Sequence, residues 1–407
     1  MPIYFDFKST FLLLAFLFGT CSQDEKTNYK KTTGDTSPAK TIIVAANRTN
    51  AYLPKLSNKK IAIVANQTSV IFKENGHTHL VDSLLTLNVK VQKVFAPEHG
   101  FRGEADAGEL VTDGRDARTG LPLISLYGKN KKPKSDDLKG IDMVVFDIQD
   151  VGVRFYTYIA TLQLVMQACA EEGIPLMVLD RPNPNAHYID GPTMETENRG
   201  FLGMNSIPLV YGMTMAEYAQ MVNQEGWLGN GLKADLTVIT MENYNHNSFY
   251  SLPIRPSPNL PNDQAINLYP SLGLFEGTNI NAGRGTEFQF QRYGASFLDS
   301  TFFTFQYQPK TNFGSKYPKE EGKVCFGEDL SSEKRLNKVS LQWLIKAYEH
   351  ATDKSKVFNA PSFTKHAGTS KLQKQITSGM SEKEIVASWE KDLHDFKKIR
   401  ANYLLYD

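Results

Sequence analysis

The chain of 407 residues is 41% hydrophobic and 22% charged, with a net charge of +1. This is ordinary globular composition, too long for one compact core and therefore expected to form two domains. The near-neutral balance excludes an electrostatic footprint for nucleic acid, and no Cys/His spacing suggests a zinc site.

The apolar run Phe11–Phe18 behind Lys8 has the length of a signal-peptide hydrophobic region and is too short to span a bilayer. Gly19-Thr20-Cys21 resembles a bacterial lipoprotein cleavage site with Cys21 as the lipidated residue. Ser22-Gln-Asp-Glu25 resembles the acidic export tag of surface lipoproteins. Residues 1–20 are thus expected to be a signal peptide and residues 21–40 a flexible tether. The expected location is the bacterial envelope, on the outer membrane, facing the periplasm or the surface.

Short apolar runs then alternate with helix-like segments. Strands are expected at Thr41–Ala46, Lys60–Ala65, Lys90–Ala96, Leu123–Leu126, Ile141–Ile148, Pro175–Leu179 and Leu236–Thr240. Helices are expected at Leu80–Leu87 and Tyr156–Glu172, and another within 200–226, where Thr214 stands three residues before Glu217 as a cap. Apolar runs separated by helix-length stretches argue for an α/β domain over 41–250, a parallel sheet with helices on both faces. Residues 252–263 hold four prolines, fit neither helix nor central strand, and mark a domain crossing. From 251 to 407, aromatic strand-like runs such as Ser300–Tyr307 alternate with helices at Ser340–His350 and Ser381–Ile399, a smaller α+β domain. Ser381–Glu384 resembles a capping box, and Trp389, Leu393 and Phe396 recur at helical spacing as core. Cys169 reads as core, and the sequence does not say whether it pairs with Cys325.

The chemistry-bearing residues follow strand ends, where α/β proteins bind ligands. After the run Val91–Ala96 come Glu98, His99, Arg102, Glu104 and Asp106, with glycines between them. A carboxylic acid there, near Phe95 and Phe101, can have its pKa raised by desolvation and act as a general acid; equally, it can satisfy loop amides or pair with Arg102. His99 could orient Glu98, bind substrate or be a polar loop residue. Asp147 and Asp150 mark a second strand end, and one of them is expected to cap the next helix. Asp180, Arg181 and Asn183, in a loop fixed by two prolines, mark a third. Together these suggest a carboxylate-lined cleft. Arg154 is a natural clamp for a substrate carboxylate, with Tyr156 and Tyr158 beside it. Asp190, Glu195 and Glu197 are reserve acids. In Phe275–Thr286, glycines permit close backbone approach, and Glu276, Asn279 and Arg284 suit sugar and carboxylate recognition. The chain has no phosphate-binding loop, no Gly-x-Gly-x-x-Gly after its first strand and no Gly-x-Ser-x-Gly elbow.

Long motifs match one family in order. They are Ala96-Pro-Glu-His-Gly-Phe-Arg-Gly103, Ser125-Leu-Tyr-Gly128, Asp147-Ile-Gln-Asp-Val-Gly-Val-Arg-Phe-Tyr-Thr-Tyr158, Leu179-Asp-Arg-Pro-Asn-Pro184, Tyr211-Gly-Met-Thr214, Pro256-Ser-Pro-Asn-Leu-Pro261, Glu276-Gly-Thr-Asn279, Gly283-Arg-Gly-Thr286 and Arg400-Ala-Asn-Tyr-Leu-Leu-Tyr406. The chain resembles the exo-β-N-acetylmuramidases, bacterial glycoside hydrolases. That resemblance implies a Rossmann-like N-terminal domain, a smaller C-terminal domain and an active site in the cleft between them. It implies release of N-acetylmuramic acid from the non-reducing end of peptidoglycan fragments, with a catalytic glutamate at the Pro-Glu-His position, Glu98. Asp190-Gly191 stands where the family pattern has Glu-Gly.

On this reading Glu98 protonates the leaving glycosidic oxygen. The second group is one of Asp147, Asp150, Asp190, Glu195 and Glu276, or the substrate's own 2-acetamido oxygen. Arg154, Arg181 and Arg284 are the candidates for the lactyl carboxylate. No cofactor or metal is expected; the partners are peptidoglycan fragments of the MurNAc-GlcNAc type and, through the lipid, the membrane. The rivals are a non-catalytic muropeptide-binding lipoprotein and a metal-dependent amidase acting on the peptide stem.

Overall fold

A computed structural model of the protein describes residues 40–103, 109 and 112–407. The signal segment, Cys21, the tether up to residue 39, and Glu104 and Asp106 lie outside the described residues.

The first part contains strands Lys60–Ala65 (β1), Val70–Phe72 (β2), His77–His79 (β3), Lys90–Ala96 (β4), Gly114–Arg115 (β5), Pro122–Ser125 (β6), Met143–Asp147 (β7), Leu176–Leu179 (β8) and Leu236–Ile239 (β9). Seven of them form one sheet in the order β5-β6-β4-β1-β7-β8-β9, and β2 and β3 pair as a separate hairpin. The pairings from β6 across to β9 are parallel; β5 is an antiparallel edge on β6, so the sheet is mixed. Numbered by chain order, the parallel block reads 3-2-1-4-5-6. That is the Rossmann arrangement, with its reversal at β1 and β7. Crevices of such sheets open beyond the carboxyl ends of the strands at the reversal, which is where the segments after β1, β4 and β7 emerge.

Alternation along each strand explains why both faces are covered. Ile61, Ile63, Met143, Val145, Met177 and Leu179 belong to one apolar cluster, with Tyr52 and Leu56 of helix Thr49–Leu56 (α1) and Val81 and Leu84 of helix Leu80–Thr86 (α2). Ala62, Val64, Val144, Phe146, Leu176 and Val178 point the other way, toward helices Ser135–Leu138 (α3), Tyr158–Glu172 (α4) and Met215–Gln224 (α5). A period of two on strands buried on both sides is what a helix-flanked parallel sheet requires. The register of β1 on β4 slips at Ile61/Ala62, where Ile61 pairs with Val91 and Ala62 with Lys93. The extra residue, Gln92, lets Val91 and Val94, three apart, face the same cluster.

The second part holds helices Asp263–Leu272 (α6), Gln342–Glu349 (α7), Ala360–Ala367 (α8), Lys371–Thr377 (α9), Glu382–Ala387 (α10) and Glu390–Arg400 (α11). Its strands Arg292–Ala295 (β10), Phe305–Tyr307 (β11) and Cys325–Asp329 (β12) form a small antiparallel sheet in the order β10-β12-β11. The apolar cluster on the α4/α5 face continues through it without interruption, to Trp389, Phe396 and Tyr403.

Some expected elements differ. Thr41–Ala46 is not a strand: Ile43 makes one isolated bridge to Glu242, and a 3-10 turn covers Ala45–Asn47. The single helix expected at Ser381–Ile399 is two, α10 and α11. Cys169 and Cys325 are both buried and free.

Candidate active site

A cavity of about 530 Å3 lies between the carboxyl ends of the parallel strands and the second part, lined by residues of both. Glu98, two residues beyond β4, reaches it half-buried. Thr157 is the N-cap position of α4 but makes no side-chain cap bond. Its hydroxyl instead donates to Glu98 Oε2 at 2.8 Å. Tyr158 donates to the Glu98 carbonyl at 3.4 Å and is itself met by Asn66, beyond β1, at 3.0 Å. Tyr127, beyond β6, hydrogen-bonds the Glu98 carboxylate; burial, and then the charge of Glu98, push its phenol well above the usual range. His99 also lines the cavity, buried, with a left-handed φ of 69° that a side chain rarely adopts. Such conformations persist where the surroundings over-determine them, often at functional sites.

An aromatic wall joins the two parts. Phe155 and Tyr269 meet edge to face at 5.1 Å, Tyr269 and Phe290 at 4.7 Å, and the Tyr156 hydroxyl donates to Pro256 O at 2.7 Å. Ser257, Asn259 and Leu260 of the proline-rich segment line the cavity as well. From the far side comes Glu276, in the short 3-10 turn Gly273–Gly277, 26% exposed and paired with Arg284 at 3.1 Å. Burial raises its carboxyl, but Arg284 and then Lys319 outweigh this and hold it below the ordinary range. Lys319 donates to the carbonyls of Phe275, Glu276 and Thr278, at the end of that turn. The Tyr269 phenol is raised by burial first, then by the charges of Glu276 and Glu98, so its ring lies within the field of both carboxylates.

Of the other expected site residues, Tyr156, His99 and Arg284 line the cavity, and the remainder are placed elsewhere. Asp147 is fully buried in a bidentate pair with Arg181 at 2.6 and 2.9 Å, and the second Arg181 nitrogen also donates to Val70 O. Asp150 is buried beneath Tyr211, accepting from its hydroxyl and from Gly152 N; burial pushes its carboxyl up to about 6. Neither aspartate caps α4. Asp180 accepts from Ala216 N, in the first turn of α5, and from the Tyr406 hydroxyl. Asn183 bonds Met213 O and Asn185 N. Arg102 stacks on Phe101 and pairs with Asp82 and Asp116, and so reinforces the loop outside the cavity. Asn279 bonds Lys356 O and is exposed. Asp190 binds the amides of Gly191 and Val339, Glu195 pairs with Lys371, and Glu197 is exposed. Arg154 is fully buried, its two terminal nitrogens bonded to the carbonyls of Pro192, Ile207, His366 and Ala367, and so is no substrate clamp here.

The cavity also has residues that the sequence reading did not single out. Tyr127, Thr157, Ser257 and Asn259 stand inside motifs quoted above, so position in a motif was the available signal. Lys131, the turn Asn198–Leu202, Tyr269, Phe290, Lys365 and His366 carried none.

Comparison with known proteins agrees with this geometry. Two family models match: exo-β-N-acetylmuramidase NamZ, N-terminal, over residues 61–264, and exo-β-N-acetylmuramidase NamZ, C-terminal, over residues 267–406. The peptidoglycan β-N-acetylmuramidase NamZ of Bacillus subtilis (strain 168) is 38% identical over 380 residues, covering 87% of this chain and 89% of that protein. Two crystal structures of DUF1343 family proteins from Bacteroides fragilis NCTC 9343 superpose with TM-scores of 0.81 and 0.73, at 42% and 26% identity. Each covers 90% of this chain and 99% of the other. Both halves of the cavity therefore fall within matched sequence, and the chain belongs to the exo-β-N-acetylmuramidase NamZ family.

Proposed function

We propose that this protein is an exo-acting β-N-acetylmuramidase, hydrolysing terminal non-reducing N-acetylmuramic acid from peptidoglycan fragments. The observation that carries this reading is that Glu98 of the first part and Glu276 of the second line one aromatic-walled cavity. Many glycoside hydrolases use two carboxyl groups flanking the scissile bond. Glu98 gives its proton to the glycosidic oxygen as the bond to the anomeric carbon breaks. Thr157 and Tyr127 hold its carboxyl in place. Glu276, kept ionised by Arg284 and Lys319, supplies negative charge toward the oxocarbenium-like centre. Water supplies the hydroxyl that completes the sugar product. The name of the Bacillus subtilis relative supports the substrate class.

A chromogenic glycoside of N-acetylmuramic acid, run beside its N-acetylglucosamine analogue, tests the activity. Release from the muramic substrate is expected. Glu98→Gln should lower kcat by about 10²–10⁴-fold, the range of a lost general acid, while binding persists. A Glu98→Gln variant as active as wild type would falsify the assignment, and binding without release by wild type would favour a carrier of muropeptides.

From the Gly19-Thr20-Cys21 site we further propose that the protein is held at the bacterial outer membrane by lipid on Cys21, with residues 22–40 as a spacer. Labelling with a fatty-acid analogue should mark the native chain and not Cys21→Ala. Equal labelling of both would remove the anchor from the proposal.

A further inference from the structure

The expected arginine clamps leave the lactyl acid of muramic acid unassigned. Arg154 and Arg181 are buried away from the cavity, and Arg284 is committed to Glu276. Among the described residues the other Lys and Arg side chains lining the cavity are Lys131, Arg199 and Lys365. None of the three makes an ion pair with an acid among the described residues.

Two of them belong to a distinct wall. Lys131 sits 4.3 Å over the ring of Phe201. Arg199 donates to Ser206 Oγ at 2.8 Å and opens the tight turn that Gly200 and Gly203 close by reciprocal backbone bonds. A second, shallower hollow of about 540 Å3 shares Lys131, Arg199, Gly200 and Phe201 with the cavity and adds Lys132, Leu164 and Met204. Among the described residues its lining contains three cations and no acid, and Lys132 alone among the three is ion-paired, with Glu171 at 2.7 Å. The wall thus presents to the sugar cavity two cations without an ion pair among the described residues, and an aromatic ring.

We infer that Lys131, Arg199 and Phe201 bind the anionic substituent on C3 of the terminal sugar, the lactyl carboxylate that distinguishes muramic acid from glucosamine. The inference rests on the muramidase reading. The carboxylate points from the sugar site toward the second hollow, where Arg199 offers a planar donor fork and Lys131 a mobile point charge. Phe201 carries the lactyl methyl. Lys365, on α8, lines the sugar cavity but not the second hollow, and serves as the comparison.

The test is the ratio of kcat/KM for muramic over glucosamine glycosides in wild type, Lys131→Met, Arg199→Met, the double variant and Lys365→Met. A third substrate has the lactyl acid capped as a neutral methylamide. Each single variant at the wall should lower the ratio about tenfold and the double variant about 100-fold, one decade per charged contact worth about 1.4 kcal/mol, mostly through KM for the muramic substrate. Wild type should lose the same factor on the methylamide, and the double variant should no longer distinguish acid from amide. Thermal midpoints near that of wild type would show that the variants fold; if one does not, the acid-to-amide ratio in wild type still decides the point. A wild type that prefers muramic acid while the wall variants keep the ratio overturns this inference alone, as does loss of the ratio in Lys365→Met. A wild type that cleaves neither glycoside overturns the activity as well.

Discussion

Arg154 is a cation buried without a carboxylate. Its nitrogens donate to Pro192 O and Ile207 O in the first part and to His366 O and Ala367 O in the second, at 2.6 to 3.1 Å. Burial pulls its pKa down to about 9, yet it stays protonated near neutral pH. The last two carbonyls close α8, where the helix dipole is negative, so oriented dipoles replace a counter-ion. Gly203 and Gly368 make room for it: a Cβ on either would come within 3.0 and 2.6 Å of the side chain. Arg154, next to the cavity residues 155–157, thereby ties Pro192 and Ile207, which flank the turn at 198–202, to the end of α8. Arg154→Met should strand those carbonyls, at about 1–3 kcal/mol for each left unsatisfied. We expect a total loss of about 4 kcal/mol or more by chemical denaturation and a fall in kcat/KM, with Arg154→Lys recovering part of both because it keeps the charge without the fork. Unchanged stability in Arg154→Met would refute this role. That Glu98 lies at a strand end facing a cleft was legible in the sequence because a proline and two glycines end β4 abruptly in a polar loop. Arg154, Arg181 and Asp180 were not, for a physical reason. A strand end narrows a side chain to one rim of the sheet but does not say whether it turns into the crevice or back into the core. The partner that settles this is distant in sequence, as Asp147 is 34 residues from Arg181.

The elements were legible where burial on both faces dictates the pattern. The ranges expected for β1 and β4 are those observed, and the capping box of Thr214 and Glu217 opens α5 as its spacing indicates. Thr41–Ala46 misled because an apolar run reads as a strand only if a neighbour pairs along its length; Ile43 has one bridge, to Glu242, and the chain then tightens into a 3-10 turn. Helix α6 is hidden in the sequence because it begins inside the proline-rich segment and carries Pro270 in its last turn. Asn262 starts it, its side chain accepting from Ala265 N at 2.9 Å, and that cap defines the onset more than any periodicity. Between α10 and α11 the Ser388 hydroxyl bonds back to Ile385 O, a local bond that competes with the helical ladder. Trp389 is buried at the same point, so the apolar spacing continues through a break in the backbone. Periodicity reports which residues face the core, and it is silent on whether one rod or two present them.

At the scale of the whole molecule, the C-terminal segment returns to the first part and closes over buried acids. Arg400 donates to Gly212 O, Leu405 N to Glu217 Oε1 at 2.9 Å, and the Tyr406 hydroxyl to Asp180 Oδ2 at 2.7 Å. His246 meets the other oxygen of Glu217 at 2.9 Å. Because one apolar cluster spans both parts, unfolding should be a single transition that reports on this clasp. Burial raises the Asp180 carboxyl to about 7; the Tyr406 hydroxyl opposes that, and the charge of Glu217 adds to it. In the unfolded chain the same group titrates near 3.8. Between those values the folded state binds the proton and the unfolded state does not, so stability falls as pH rises through the window. The contribution is fully present below about pH 4 and lost by about pH 7. Asp180→Asn removes the titration while leaving an acceptor for Ala216 N. Relative to the variant, wild type should therefore lose about 2–3 kcal/mol of unfolding free energy on going from pH 5 to pH 8, from a shift of about two units over that interval. Denaturant melts of both proteins at the two pH values measure it. A difference between wild type and variant that stays constant with pH would mean that Asp180 is already ionised at pH 5, and that the clasp holds a charge rather than a proton.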